Sequence, residues 1–125
     1  MLDITAHMIV KNEERWVKFA ILSVIEQVKS LLIWDTGSSD KTVELIKSIN
    51  SPKIHFKQMG EVDRKGLVNL RNQQIKVTTT SWFLLVDGDE IWPKKNLNQL
   101  IKTATLAKTN TLALVNKTRN SIGNI

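Results

Sequence analysis

The feature that most restricts the fold of this chain is an alternation between short apolar runs and segments with helical periodicity. Four apolar runs have the length of β-strands: residues 4–10, 30–35, 82–87 and 111–115. Residues 53–58 alternate between apolar and polar side chains, as a half-buried strand does. After the first run, apolar residues recur at the three-and-four spacing of a helix with one buried face, namely Val17, Ala20, Ile21, Val24, Ile25 and Val28. Such alternation predicts an α/β fold in which helices flank a mostly parallel sheet.

Residues that favour helix ends divide the segments between these runs. Asn12 is a suitable N-cap for the first helix, and Asp40 for the second. A polar loop is predicted over residues 60–66, followed by a third helix over residues 67–77. Pro93 introduces a fourth helix, which precedes the last predicted strand.

Length and composition limit the classes of protein to consider. The chain has 125 residues, the size of one domain, and it has no cysteine for disulfides or thiolate metal sites. Its net charge of +6 comes from lysines scattered along the chain, so we expect a solvated basic surface and no nucleic-acid partner. Residues 1–25 have no signal-peptide pattern, and no apolar run could span a bilayer. We therefore expect a cytoplasmic protein.

Two of the apolar runs end in an acid, Asp35 and Asp87. In an open parallel sheet, ligands bind outside the carboxyl ends of the strands. Burying a carboxylate costs several kcal/mol unless it is paired or binds a cation. Two acids at one edge of a sheet therefore indicate a site more than they indicate packing.

The second acid begins the sequence Asp87-Gly88-Asp89-Glu90. Residues two apart in extended backbone point to the same side, so Asp87 and Asp89 can face one cation. Carboxylate oxygens suit Mg²⁺ or Mn²⁺, with water and phosphates completing the coordination. The alternative is a solvated acidic turn that closes the strand, and a short motif of this kind also arises by chance.

Other sequence features are less informative about function. Neither a glycine-rich dinucleotide fingerprint nor a P-loop is present. His7 is expected to lie in a core strand and His55 to point outward, and no Ser–His–Asp set is visible. The four tryptophans fall in or beside structured segments and are expected to pack.

Four segments, in this order, resemble family 2 glycosyltransferases, which have the GT-A fold. They read MIVKNEE from Met8, DTGSSDKT from Asp35, LRN from Leu70 and LVDGDE from Leu85. The ordered set is more specific than any of its parts. The resemblance implies a Rossmann-like GT-A sheet and the N-terminal region that binds a nucleotide diphosphate sugar, of the UDP type.

The resemblance also implies roles for matching residues. The loop from Val10 to Glu13, through Val10, Asn12 and Glu13 in particular, would line the base and ribose of the nucleotide. Asp35 would accept a hydrogen bond from an N–H of the base, and Arg71 would reach the base or the diphosphate. Many relatives carry a second acid after the one at Asp35, whereas this chain has a threonine, so the resemblance does not define the nucleotide.

For the metal and the reaction, the resemblance places Asp87 near the ribose and the cation. Asp89 would ligate the Mn²⁺ or Mg²⁺ that bridges the diphosphate. The implied reaction is transfer of a sugar, with inversion, to a hydroxyl of a saccharide, lipid or protein, and it could take place at the inner face of the membrane. The chain ends at Ile125, so we expect a truncated domain, residues 1–125, without the acceptor-binding half and without the catalytic base.

Two other classes stay open on the residues alone. The crevice could belong to a non-catalytic module that binds a nucleotide, or nucleic acid through the basic surface. A metal-dependent phosphoryl or nucleotidyl transferase could use a similar sheet, because a fold does not define a function.

Overall fold

The computed structural model describes residues 3–115, and the predicted alternation of strands and helices is confirmed over most of this range. Four strands alternate with four helices, in the chain order β1 (Ile4–Val10), α1 (Val17–Val24), β2 (Ser30–Asp35), α2 (Thr42–Lys47), β3 (Ile54–Gln58), α3 (Arg64–Val77), β4 (Trp82–Leu85) and α4 (Lys94–Thr105).

The four strands form one parallel sheet in the order β3-β2-β1-β4. Val10 at the end of β1 lies opposite Asp35 at the end of β2. On the other side of β1, Leu85 at the end of β4 lies opposite His7, and the N–H of Val86 donates to the carbonyl of His7. The carboxyl ends of β2, β1 and β4 therefore lie side by side, which is the arrangement that makes a ligand site in open parallel sheets.

One face of the sheet carries the main hydrophobic core. Alternate residues of β1 and β2 on this face are buried against α1, α2 and α4, and the cluster includes Ala6, Met8, Val10, Leu31, Ile33, Val17, Ile21, Val24, Ile46 and Leu97. The helical face predicted for α1 is confirmed for Val17, Ala20, Ile21 and Val24, which are buried, whereas Ile25 and Val28 follow the last residue of the helix. This core fixes the end of β1 and the loop that follows it.

Helix α3 covers the opposite face of β1. Gln74 on this helix is fully buried, and its side-chain amide donates to the carbonyl of Met8 at 3.2 Å. His7 is 1% exposed, its Nε2 lies 2.6 Å from the hydroxyl of Thr78, and its ring stacks on Phe83. The core position predicted for His7 and the exposed one predicted for His55 are both confirmed.

Several predicted boundaries or elements are wrong. Strand β4 ends at Leu85, two residues before the predicted end at Asp87, because the chain turns at residues 88–89. Helix α1 begins at Val17, because Asn12 adopts a left-handed backbone, with φ 53°, and does not cap it. Helix α3 begins at Arg64, inside the predicted loop, because the carboxylate of Asp63 caps it by accepting from the N–H of Gly66 at 2.7 Å.

The predicted strand over residues 111–115 has no regular secondary structure. Leu112 and Val115 are 96% and 95% exposed, although this segment contributes to the wall of an apolar groove beside β4 and α4. Apolar, β-branched composition is not enough for a strand, which needs a neighbour for its backbone hydrogen bonds. Within residues 3–115, no helix has the length and apolar character that crossing a membrane requires.

Candidate functional site

The predicted site residues lie at the carboxyl ends of the strands, but Asp35 and Asp87 are in different surroundings. Asp35 is 1% exposed and lies opposite the core residue Val10. The Asp87 side chain is 62% exposed, and its Oδ1 lies 3.8 Å from a guanidinium nitrogen of Arg71 on α3. The two acids therefore share an edge of the sheet, whereas only Asp87 is open to solvent and to a ligand.

The carboxylate of Asp35 accepts hydrogen bonds from the loop that follows it. Its Oδ2 accepts from the N–H groups of Gly37 and Ser38, both at 3.1 Å, and its Oδ1 accepts from the hydroxyl of Ser38. Gly37 has φ +90°, a left-handed conformation that glycine adopts without strain. These bonds stabilise the buried charge and shape the turn. The predicted contact between Asp35 and a nucleotide base stays a prediction.

Asn12 joins the loop after β1 to the loop after β2. Its side-chain oxygen accepts from the N–H of Ser39 at 2.8 Å, and its own N–H donates to the hydroxyl of Ser38 at 2.9 Å. The left-handed backbone of Asn12 turns the chain so that both bonds form. The Asn12 side chain, predicted to face the nucleotide, thus has a structural partner within the protein.

The next two residues extend this connection to the start of α2. The N–H of Glu13 donates to the hydroxyl of Thr42 at 2.8 Å, and the N–H of Glu14 donates to Asp40 at 3.2 Å. In return, the carboxylate of Glu14 accepts from the N–H of Lys41 at 3.0 Å. These hydrogen bonds hold the backbone of residues 12–14 in place. The carboxylate of Glu13 takes part in none of them.

Residues 87–90 form a tight turn closed by two hydrogen bonds. The N–H of Glu90 donates to the carbonyl of Asp87 at 3.0 Å, and the N–H of Asp87 donates to the Glu90 carboxylate at 2.8 Å. Gly88 is buried in this turn, where an added Cβ would lie 2.9 Å from Val10 Cγ1 and 3.0 Å from Glu13 Cγ. The glycine is thus required for close packing on the end of β1, and this contact places Asp87 and Asp89 beside Glu13.

Negative charge accumulates at this contact. Burial raises the pKa of Glu13, and the nearby carboxylates of Asp89, Asp40 and Asp87 raise it further. Burial also raises the pKa of Glu90, and Asp87 contributes to that shift. A cation bound beside these carboxylates would favour their charged forms and so oppose both shifts.

The donor set of the turn fits a divalent cation that is shared with a ligand. Among residues 3–115, no three potential metal-ligating side chains are grouped closely enough to hold an ion by themselves. Mg²⁺ and Mn²⁺ are commonly held by one or two carboxylates together with substrate phosphates and water. Asp87 and Asp89 could supply the protein's share, and a diphosphate the rest.

A cleft of about 410 Å³ opens beside the turn, between the loop after β1 and the start of α3. Its walls include Val10, Lys11 and Glu13 of the predicted loop and the predicted Arg71. They also include a set that sequence reasoning missed: Ile9, Thr36, Val62, Asp63, Arg64 and Leu67. Thr36, rather than its neighbour Asp35, faces this cleft, as expected when successive residues point to opposite faces. Arg64 could have been recognised from its place seven residues before Arg71, two turns along the same face of a helix.

Comparisons with known proteins agree with this geometry. Residues 5–120 match the model of glycosyl transferase family 2. The SPbeta prophage-derived glycosyltransferase SunS of Bacillus subtilis is 30% identical over 101 residues, which are 81% of this chain and 23% of that protein. A TPR repeat-containing protein of Synechococcus elongatus is 30% identical over 90 residues, 72% of this chain and 21% of that protein.

The crystal structure of TarS 1–349 from S. aureus superposes with a TM-score of 0.69 and 18% identity, covering 92% of this chain and 39% of that one. At that identity the likeness establishes the fold, a Rossmann-like GT-A sheet. With the match over residues 5–120, the chain belongs to glycosyl transferase family 2. It spans less than a quarter of the length of the curated relatives that it matches.

Proposed function

We propose that this chain is the donor-binding region of a glycosyltransferase that transfers a sugar from a nucleotide diphosphate sugar to an acceptor hydroxyl, with inversion and with a divalent cation. The observation that carries the proposal is the Asp87–Glu90 turn, packed on the end of β1 beside a cleft of about 410 Å³. The cleft has the size of sites for small ligands, which start at about 300 Å³.

The lining of the cleft suits the two ends of a nucleotide differently. Ile9, Thr36, Val62 and Leu67 offer a mainly apolar surface for a base and ribose. Arg71 lies at the side of Asp87 and offers a fork of donors for phosphate oxygens. The nucleoside would therefore lie along β1 and the diphosphate would point toward the acidic turn.

A divalent cation held by Asp89, with Asp87 beside it, would offset the negative charge that develops on the leaving diphosphate. Arg71 would also offset the charge on the leaving diphosphate. Its positive charge is already in place, so little reorganisation is needed as the bond to the sugar breaks. We assign no catalytic base among residues 3–115. Glu90 is engaged with the N–H of Asp87, and its task is to shape the turn.

The proposal is tested by thermal unfolding with a panel of nucleotide sugars, each with and without Mn²⁺. At a ligand concentration of 100 times Kd, binding should stabilise the fold by about 2.7 kcal/mol. Asp89→Asn should remove most of the part that depends on Mn²⁺. Asp3→Asn is the matched control, since Asp3 is an exposed aspartate at the opposite edge of the sheet. Equal stability with and without every ligand, in folded protein, would overturn the proposal.

A further inference from the structure

One ion pair links the two walls of the cleft. Lys11, in the loop after β1, lies with its Nζ 3.0 Å from Oε1 of Glu61, in the loop before α3. Lys11 lines the cleft, and so does Val62, the residue next to Glu61. The pair is therefore placed at the mouth of the cleft, where an entering ligand would meet it.

The backbone of Glu61 packs closely against the loop after β2. A Cβ added to Gly37 would lie 3.3 Å from the Glu61 nitrogen and 3.4 Å from its Cα, so the two loops are in close contact. Gly60, directly before Glu61, has φ +76°, a left-handed turn that directs the chain toward Gly37. The two glycines thus place the backbone of Glu61 where its side chain can reach Lys11.

The pair itself is weak. The side chains of Lys11 and Glu61 are 44% and 80% exposed. Ion pairs this exposed contribute little to stability, because water screens the charges and both side chains lose freedom. A diphosphate carries more charge than one carboxylate and offers several acceptor oxygens, so it can take the place of Glu61 on the lysine.

We infer that Lys11 is a phosphate-binding residue of the donor site and that Glu61 is its internal competitor, which occupies the lysine until a diphosphate enters. The inference rests on the proposed function for the nature of the ligand, a nucleoside diphosphate. It gives a phosphate-binding role to Lys11, which lines the same cleft as Arg71. It also predicts that ligand entry breaks the Lys11–Glu61 pair.

The test measures the Kd of UDP, uridine and inorganic pyrophosphate by calorimetry, for wild type, Glu61→Gln and Lys11→Gln. Removing the competitor should tighten UDP and pyrophosphate about two- to fivefold, the range expected for an exposed ion pair. Removing the lysine should weaken both about tenfold, as expected for a charge-assisted hydrogen bond. Uridine, which lacks the diphosphate, should be unaffected by either change.

Asp3→Asn is the matched control for Glu61→Gln, because each variant removes one negative charge and breaks an ion pair of 3.0 Å. The pair Lys29–Asp3 lies at the amino ends of the strands, away from the cleft. An unchanged Kd of UDP in Glu61→Gln and Lys11→Gln, with normal binding by wild type, overturns this inference alone. Pyrophosphate binding that depends on Lys11, without any binding of UDP or of a nucleotide sugar from the panel above, retains the inference and overturns the proposed function. Absence of binding by all probes overturns both.

Discussion

Gly88 and Val10 are in such close contact that a methyl group added to the glycine would lie 2.9 Å from Val10 Cγ1. The contact joins the acidic turn after β4 to the end of β1 in the middle of the sheet. It also places Glu13 against the turn, since the same methyl would lie 3.0 Å from Glu13 Cγ. The relative position of the acids and the cleft is therefore set by backbone packing.

Gly88→Ala should destabilise the protein by about 1–3 kcal/mol, the usual cost of an added methyl group in a packed site. It should also weaken binding of UDP with Mn²⁺, because the turn must move away from β1. Urea unfolding and calorimetry measure the two effects. In the double variant with Val10→Ala, which removes the clashing methyl, the stability loss should be less than the sum of the two single losses. Strict additivity would show that the contact does not limit the turn.

Asn12 gives a second prediction, because its left-handed backbone and its side-chain hydrogen bond make separate contributions. Asn12→Gly loses the bond to Ser39 but keeps the φ of 53° without strain. Asn12→Ala loses the bond and adds strain, so it should be less stable than the glycine variant by about 1 kcal/mol. Chemical denaturation compares the two. Equal stability of the glycine and alanine variants would mean that the loop relaxes out of the left-handed conformation.

Asp35→Asn separates a structural role from a ligand contact. The amide can accept at one oxygen only, while the buried site offers N–H and O–H donors to both. We expect a loss of about 2–4 kcal/mol in the free energy of unfolding, even without ligand. Ser38→Ala, which removes one of the donors, should cost less. A variant that is as stable as wild type but binds UDP weakly would instead support the direct contact with the base that the family resemblance implies.

His7 should make stability depend on pH. Burial, with a further contribution from Arg71, lowers the pKa of His7 to about 4. In the unfolded chain His7 binds a proton near pH 6.5, whereas in the folded chain it stays neutral down to about pH 4. The contribution of the neutral histidine, on the order of 3 kcal/mol, is therefore complete above pH 6.5 and is lost as the pH falls toward 4.

Unfolding free energies measured between pH 7 and pH 4 test this, with His7→Gln as the variant and the exposed His55→Gln as the control. The pH dependence should become shallower in His7→Gln and stay unchanged in His55→Gln. The same slope in all three proteins would contradict a buried neutral His7.

Much of the sheet could be predicted because local pattern and tertiary structure agree there. The run ending in Asp35 is apolar and largely buried, as inner parallel strands are, and its end lies beside that of β1. The run ending in Asp87 is equally apolar, although β4 is the outer strand of the described sheet and Phe83 and Leu85 are 39% and 52% exposed. The prediction of a strand over residues 111–115 is wrong, because composition does not reveal whether a neighbouring strand is available for pairing.

The candidate site was predicted less completely, for a geometric reason. The sequence places Asp35 at the right edge, but it does not show that Gly37 and Ser38 use its oxygens and leave Thr36 to face the cleft. The pairing of Lys11 with Glu61 joins residues 50 positions apart, and depends on how two loops meet. Residues of one motif can be recognised locally, whereas cleft walls assembled from distant loops cannot.

The most direct test of the account uses Mn²⁺ as a paramagnetic probe in NMR spectra of the labelled protein. With UDP present, we predict that Mn²⁺ selectively broadens the amide signals of residues 87–90 and of 11–13 beside them, and leaves Asp3 and Lys29 at the opposite edge unaffected. Asp89→Asn should abolish this selective broadening. Broadening centred elsewhere, or an unchanged effect in Asp89→Asn, would contradict a shared site for cation and diphosphate at the Asp87–Glu90 turn.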